Sequence, residues 1–172
     1  MSAYDRAVHG AEAGAIAAVA LELSFFLLDA VRFTPLATPL ALSGAVSPTD
    51  EGLAPGAIFQ DLASVSGALA FLYAAYQVLV LTAVHLIAFG SVGALAALLF
   101  DWSEPLDAGR LVTVALMCTV AFGLSVAVSS SMIALGSVGW VLVIGMNLLA
   151  ALILVGCLRL VSAPEAVAES AH

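Results

Sequence analysis

Three polar side chains lie inside long apolar segments of this sequence, and their types could carry out acid–base chemistry. They are Glu22, His85 and Asn147, each in a different apolar segment. A carboxyl group and an imidazole can exchange a proton, and an amide can orient them through hydrogen bonds. If the segments are helices, their rise places the three side chains about 16, 22 and 18–21 Å from the ends on one side. The sequence therefore predicts a polar cluster at one level.

This predicted cluster has three interpretations. It could be a proton-relay or ion site, because ionisable groups inside membranes often serve that purpose. It could instead be an interhelical hydrogen-bond clasp, with each bond contributing about 0.6–2 kcal/mol. Third, Glu22 or His85 could face outward and contact a lipid, a quinone or a partner subunit. Since a charged carboxylate costs at least about 2.5 kcal/mol at the centre of a membrane helix, a pair between Glu22 and His85 is the simplest expectation.

Cofactor and metal chemistry have weaker support in the sequence. Four-helix membrane bundles hold b-type haem through two axial histidines, but His9 precedes the first apolar segment and His172 is the last residue. Haem bound by His85 and a ligand from another subunit is the remaining alternative, and we otherwise expect no cofactor. Cys118 and Cys157 lack the spacing of a metal site. No nucleophile and base pattern is evident, so we expect a protein that is not an enzyme.

A second candidate pair is formed by Asp29 and Arg32. The two residues are three apart, which places them on one face of a helix. We expect them to form an ion pair at the outer membrane interface. A surface pair at a helix end contributes little to stability, so this is a structural expectation.

The composition identifies the environment in which these groups work. Hydrophobic residues make up 63% of the 172 residues and charged residues 9%, whereas soluble proteins carry about 25% charged residues. The chain is therefore expected to be an integral membrane protein. All four basic residues are arginines and there is no lysine, so the sequence lacks the basic surface that nucleic-acid binding needs.

The apolar segments predict an all-α membrane protein with an antiparallel bundle of four transmembrane helices. Residues 1–172 are expected to form a single transmembrane domain. Each apolar segment is long enough to cross the hydrocarbon core as a helix. The predicted spans are about 11–33, 76–100, 111–134 and 138–161, followed by a flexible tail at 162–172.

The residues between the first two spans, 34–75, are predicted to form one long outer loop. The first part is rich in proline and glycine, which interrupt regular structure. Its apolar stretch TPLATPLALSGAV is expected to lie in the interface or against the bundle. Apolar residues then recur at helical spacing and predict a short amphipathic, interfacial helix at about 57–66. A break is expected near Ser66 and Gly67, because an uninterrupted helix from residue 57 to residue 100 would be about 65 Å long.

The arginines predict the orientation of the bundle. With four spans, Arg6, Arg110 and Arg159 lie on the side of the termini, and Arg32 lies on the other. Because cytoplasmic loops are enriched in basic residues, both termini are predicted to be cytoplasmic. The loop at 34–75 then lies on the outer side of the cell membrane, which is the inner membrane of a bacterium with two membranes.

The sequence also resembles a group of small uncharacterised four-helix bacterial membrane proteins. The likeness is carried by SFFLLDAVRFTPLATPLALSG, by VHLIAFGSVGALAALLF and by a fourth helix that ends in GMNLLAALILVG. It implies the four-helix architecture and no chemistry, and Glu22 has no counterpart in that pattern. The matching positions are Asp29, Thr38, Pro39, His85 and Phe89.

From these features we expect a small non-enzymatic membrane subunit that packs against or stabilises a larger respiratory, photosynthetic or transport complex. Its expected partners are membrane lipids and either other membrane subunits or further copies of itself. The alternative is a small oligomeric transporter or proton-conducting channel that uses Glu22 and His85. These two functions differ in whether the polar side chains line a continuous path.

Overall fold

A computed structural model of the chain describes residues 2–33, 36–43, 62–129 and 140–169. Every regular element within these ranges is an α-helix. Four of the helices, α1, α3, α4 and α5, are long and apolar enough to cross a membrane. This confirms the prediction of an all-helical protein with four candidate spans. The helices are α1 Ala3–Val31, α2 Ala37–Leu42, α3 Val65–Leu99, α4 Ala108–Ser129 and α5 Trp140–Glu169.

Helix α3 begins earlier than the predicted span at 76–100. The Ser64 hydroxyl accepts a hydrogen bond of 3.0 Å from the Gly67 amide, which caps the helix at the position where a break was expected. Residues 62–63 form a turn and Ser64 is the N-cap of α3, while residues 57–61 of the predicted helix at about 57–66 lie outside the described ranges. With 35 residues, α3 is about 52 Å long, which exceeds a hydrocarbon core of about 30 Å.

The carboxyl-terminal helix also differs from its prediction. Helix α5 continues to Glu169, although a flexible tail was predicted from residue 162. The predicted end of the third span at 134 and the predicted start of the fourth at 138 lie outside the described residues.

Helix α1 begins with a capping box, and most of the residues on its buried face are small. The Ser2 hydroxyl accepts from the Asp5 amide at 3.1 Å, and the Asp5 carboxylate accepts from the Ser2 amide at 3.1 Å. Its buried positions recur every three or four residues, which defines one face of the helix. These positions are Gly10, Ala13, Gly14, Ala17, Ala18, Leu21, Phe25 and Asp29.

The four long helices form a bundle in which α1 packs against α3 and α5, and α4 also packs against α3 and α5. The short helix α2 contacts α1 and α3. The core between the long helices contains fully buried side chains from all of them, such as Ala17, Phe89, Val114 and Leu154.

The closest approach between two helices is the contact of α1 with α3. A Cβ atom added to Gly10 would overlap the carbonyl oxygen of Gly93, and one added to Gly14 would overlap the carbonyl oxygen of Phe89. A Cβ atom added to Gly93 would meet the Gly10 carbonyl oxygen in turn. The backbones therefore touch directly, as small residues allow in membrane helix pairs.

The connection between α3 and α4 is short and held by side chains. The indole nitrogen of Trp102, a residue only 6% exposed, donates to the Ala96 carbonyl at 3.0 Å and so satisfies the end of α3. The Asp107 carboxylate accepts from the Arg110 amide at 2.8 Å and so caps the start of α4. Hydrogen bonds from the Ser103 hydroxyl and amide hold the pKa of Asp101 below its ordinary value.

Replacing Gly14 by valine is expected to destabilise the bundle by about 1–3 kcal/mol, because the added side chain forces α1 and α3 apart. The measurement is the unfolding midpoint of the purified chain in detergent. Gly156→Val is the matched control, since a Cβ atom at Gly156 meets no atom within 4 Å. An equal loss in both variants would show that the cost comes from helix propensity and not from the contact.

Candidate functional site

The carboxyl group of Glu22 on α1 has one hydrogen-bond partner among the described residues. Its Oε2 atom accepts from the Thr82 hydroxyl of α3 at 3.2 Å. Its Oε1 atom is buried and has no partner within the part of the chain that the structure describes. Since buried polar atoms are nearly always hydrogen-bonded, this oxygen marks a group with unused accepting capacity.

His85 on α3 is 2% exposed and is surrounded by aromatic rings. Its Nδ1 atom lies 3.0 Å from the Leu81 carbonyl oxygen one turn earlier. Because a carbonyl can only accept, Nδ1 carries a proton in this contact, and if the ring is neutral Nε2 is the acceptor. The ring stacks on Phe89 with centroids 6.1 Å apart and meets the edge of Phe122 at 5.2 Å.

Asn147 on α5 is 1% exposed and bonds within its own helix. Its amide nitrogen donates to the Val143 carbonyl at 2.8 Å, while its Oδ1 atom has no partner among the described residues. No hydrogen bond in the described ranges joins Asn147, Glu22 or His85 to one another. The predicted direct pair of Glu22 and His85 is therefore corrected, because each side chain finds a different partner.

Glu22 and His85 are nevertheless brought to the same cavity, which has a volume of about 320 Å³. Side chains from α1, α2 and α3 line it, together with Phe122 of α4. On α1, Val19 and Leu23 belong to its lining and are more than half exposed, so the cavity reaches the outer surface of the bundle. The arrangement is an apolar cleft with two polar groups in its wall.

Sequence reasoning missed two residues of this cleft, Thr82 and Phe122. Thr82 precedes His85 by three residues and therefore shares its helix face, a spacing that could have identified it. Phe122 lies on another helix, so no spacing in the sequence connects it with His85. Its contact is a consequence of the packing of α4 against α3.

Asp29 has a structural function that the sequence did not indicate. It is 1% exposed, and its two carboxylate oxygens accept from the Thr38 amide at 2.6 Å and from the Thr38 hydroxyl at 2.7 Å. The predicted partner, Arg32, is exposed, and no ion pair in the described ranges joins the two. The predicted pair is thus corrected to a contact between α1 and the start of α2.

This contact stabilises an unfavourable turn. Phe33 and Leu36 have φ angles of 56° and 64°, in the left-handed region that residues with a side chain seldom adopt. Leu36 occupies the N-cap position of α2, and its side chain makes no hydrogen bond to the amides of the first helical turn. The Asp29 carboxylate supplies that cap from the preceding helix, and its negative charge suits the amino end of a helix.

The same described residues contain no group of three histidine, cysteine or acidic side chains placed to hold a metal ion. The expected absence of a cofactor, and the alternative of haem bound by His85, both stay predictions. His85 is flanked by Phe89 and Phe122, as described above.

Replacing Asp29 by alanine is expected to cost about 1–3 kcal/mol, because the buried amide and hydroxyl of Thr38 lose their acceptors. In this variant the backbone amides of residues 37–43 should exchange hydrogen faster. The unfolding midpoint of the chain should also be lower. Arg32→Ala is the control and should leave both unchanged. Equal effects of the two substitutions would favour the ion pair that the sequence predicted.

Comparisons with known proteins identified no relative of this chain. A scan against protein-family models found no matching family. Searches of curated proteins and of solved structures also found no match. The resemblance noted from the sequence therefore stays a prediction, and the geometry of the bundle is the basis for a functional proposal.

Proposed function

We propose that this chain is a small non-enzymatic integral membrane subunit that packs against or stabilises a larger membrane complex. The supporting observation is a pair of outward-facing glycines on α5. A Cβ atom added to Gly145 or to Gly156 would meet no atom within 4 Å. Both glycines are exposed, so neither is needed for packing inside the bundle.

These glycines contrast with those inside the bundle. Gly10 and Gly14 permit a backbone contact between α1 and α3, whereas Gly145 and Gly156 have no such neighbour in the described chain. Eleven residues separate Gly145 from Gly156, which is close to three helical turns and places them on one face. Leu149 and Leu152 are exposed on the same face, 40% and 48% respectively. We call these four residues the α5 face, and its small residues suit the close approach of another membrane helix.

The finer architecture belongs to the same proposal. We place neighbouring helices antiparallel, because Gly10 meets Gly93 and Ala97 while the later Gly14 meets the earlier Phe89. Helix α2 is the short helix of the outer loop in this arrangement. The distribution of arginines supports cytoplasmic termini and an outer loop outside a bacterial inner membrane.

The partner class proposed here is another membrane subunit or a second copy of the chain, surrounded by lipid. The complex could be respiratory, photosynthetic or concerned with transport. An exposed apolar face with glycines is suited to a helix of another membrane protein, and the acidic sequence with four arginines offers no surface for nucleic acid.

Substituting leucine at both Gly145 and Gly156 is expected to reduce the association of the chain with its partner at least about tenfold, since the added side chains prevent close helix approach. The chain would be purified in mild detergent, and the co-purifying subunits would be quantified by mass spectrometry. Ala83→Leu is the control, because Ala83 is an exposed small residue on α3. Recovery of the unmodified chain alone would contradict the subunit function.

A second candidate function is a small oligomeric transporter or proton-conducting channel. It is favoured by one observation, that Glu22 and His85 line the same cavity. Conduction needs a series of polar groups across the bilayer. Here the aromatic rings of Phe89 and Phe122 flank His85, and the amide nitrogen of Asn147 bonds to its own helix. These contacts favour the subunit function over the channel.

Proton flux into liposomes that contain the chain is therefore expected to equal the flux into empty liposomes. The measurement uses an internal pH-sensitive dye and an imposed pH gradient. Glu22→Gln and His85→Ala are the matched variants and should change nothing. Flux that exceeds the empty control and falls in either variant would support the channel instead.

A further inference from the structure

We propose that the cavity between α1, α2 and α3 binds a neutral, hydroxyl-bearing apolar molecule taken from the bilayer. The site is independent of the α5 face, because the residues that line it lie on α1, α2 and α3, with Phe122 from α4.

The size and the walls of the cavity define the body of this molecule. Its volume of about 320 Å³ is about twice that of an engineered protein cavity of about 150 Å³ that binds benzene. The walls include the buried side chains of Leu21, Phe25, Leu81 and Phe122. An apolar chain or ring, larger than benzene and smaller than a whole phospholipid, fits this space.

The polar groups of the wall define the head of the molecule. The Glu22 carboxyl group has a single hydrogen-bond donor, Thr82, and its second oxygen has none in the described chain. Nδ1 of His85 is engaged with Leu81, which leaves Nε2 as an acceptor. Glu22 and His85 therefore offer hydrogen-bonding capacity in the cavity wall, and a ligand can use it by bringing a hydrogen-bond donor. A hydroxyl group is the smallest neutral group that supplies it.

Charge excludes the commonest membrane amphiphiles. No arginine is among the residues that line the cavity, and the sequence contains no lysine. A fatty acid or a phospholipid would place its carboxylate or phosphate beside Glu22 without a cation to compensate for it. Neutral alcohols and phenols avoid that cost, and they share the hydroxyl chemistry whether they derive from an aliphatic chain or from an aromatic ring such as a quinol.

The position of the cavity gives the molecule a route from the membrane. Val19, Leu23 and Phe26 line the cavity and are 54%, 53% and 42% exposed on the outer face of α1. Helix α2 contributes Pro39 and Leu42 to another side, and the Asp29–Thr38 contact holds this helix in place. An apolar molecule can therefore enter from the lipid phase between fixed walls.

The test measures binding of radiolabelled 4-hexylphenol and 1-decanol to the full chain in nanodiscs, with empty nanodiscs subtracted. We expect saturable binding of about one molecule per chain for at least one probe. Tighter binding of 4-hexylphenol would indicate an aromatic ligand, and tighter binding of 1-decanol an aliphatic one. 4-Hexylanisole, in which a methyl group replaces the hydroxyl hydrogen, and decanoate should bind at least about tenfold more weakly. Equal binding of the anisole would overturn the assignment of a hydroxyl donor.

Three variants assign the binding to this cavity. Val19→Trp fills its mouth at an exposed position, so the fold should tolerate it, and binding should fall at least about tenfold. Val120→Trp is the matched control on α4, 60% exposed and outside the cavity, and should bind normally. Glu22→Leu removes one of the two acceptors and should reduce the preference for the phenol over the anisole.

Several results would overturn the proposal. Binding that Val19→Trp and Val120→Trp leave equally intact would place the probe elsewhere. A preference for the hydroxyl that Glu22→Leu leaves unchanged would remove Glu22 from the site. Absence of saturable binding, combined with loss of a co-purifying subunit in Val19→Trp, would show that a partner side chain fills the cavity. None of these outcomes depends on the α5 face, where association is tested separately.

Discussion

The direct backbone contact between α1 and α3 is the constraint on which the rest of the bundle depends. Gly10, Gly14 and Gly93 let the two helices touch without intervening side chains. Farther along α1 the interface is filled by the larger Leu21 and Phe25 instead. The cavity lies in this wider region, where α2 adds a wall that α1 and α3 alone do not provide. A helix pair that is tight at one end leaves room for another molecule toward the other.

Asp29 stabilises the part of this helix pair that lies beside α2. Its carboxylate caps α2 through Thr38 and compensates for a turn in which Phe33 and Leu36 adopt left-handed backbone conformations. Such conformations cost about 1–3 kcal/mol each and persist where the surrounding contacts hold them. The short helix is thereby held against α1 and α3, and the cleft beneath it acquires a defined shape.

The polar side chains inside the bundle follow two patterns. Hydroxyl and amide groups such as those of Thr119 and Asn147 donate to carbonyl groups one turn earlier in their own helices. Glu22 has no such local bond and contacts Thr82 of another helix with one oxygen. Its other oxygen is buried without a partner in the described chain, as is Oδ1 of Asn147, but only Glu22 of these two residues lines the cavity.

The sequence by itself determined the class of the protein and the number of long apolar helices, because these follow from composition and segment length. It also singled out Glu22 and His85 as polar groups in apolar segments, and Asp29 as a member of a pair at the outer interface. Only the tertiary structure decided their partners, Thr82, Leu81 and Thr38. Side-chain contacts between helices depend on helix rotation and approach, which a sequence pattern does not specify, and the glycine contact of α1 with α3 sets both here.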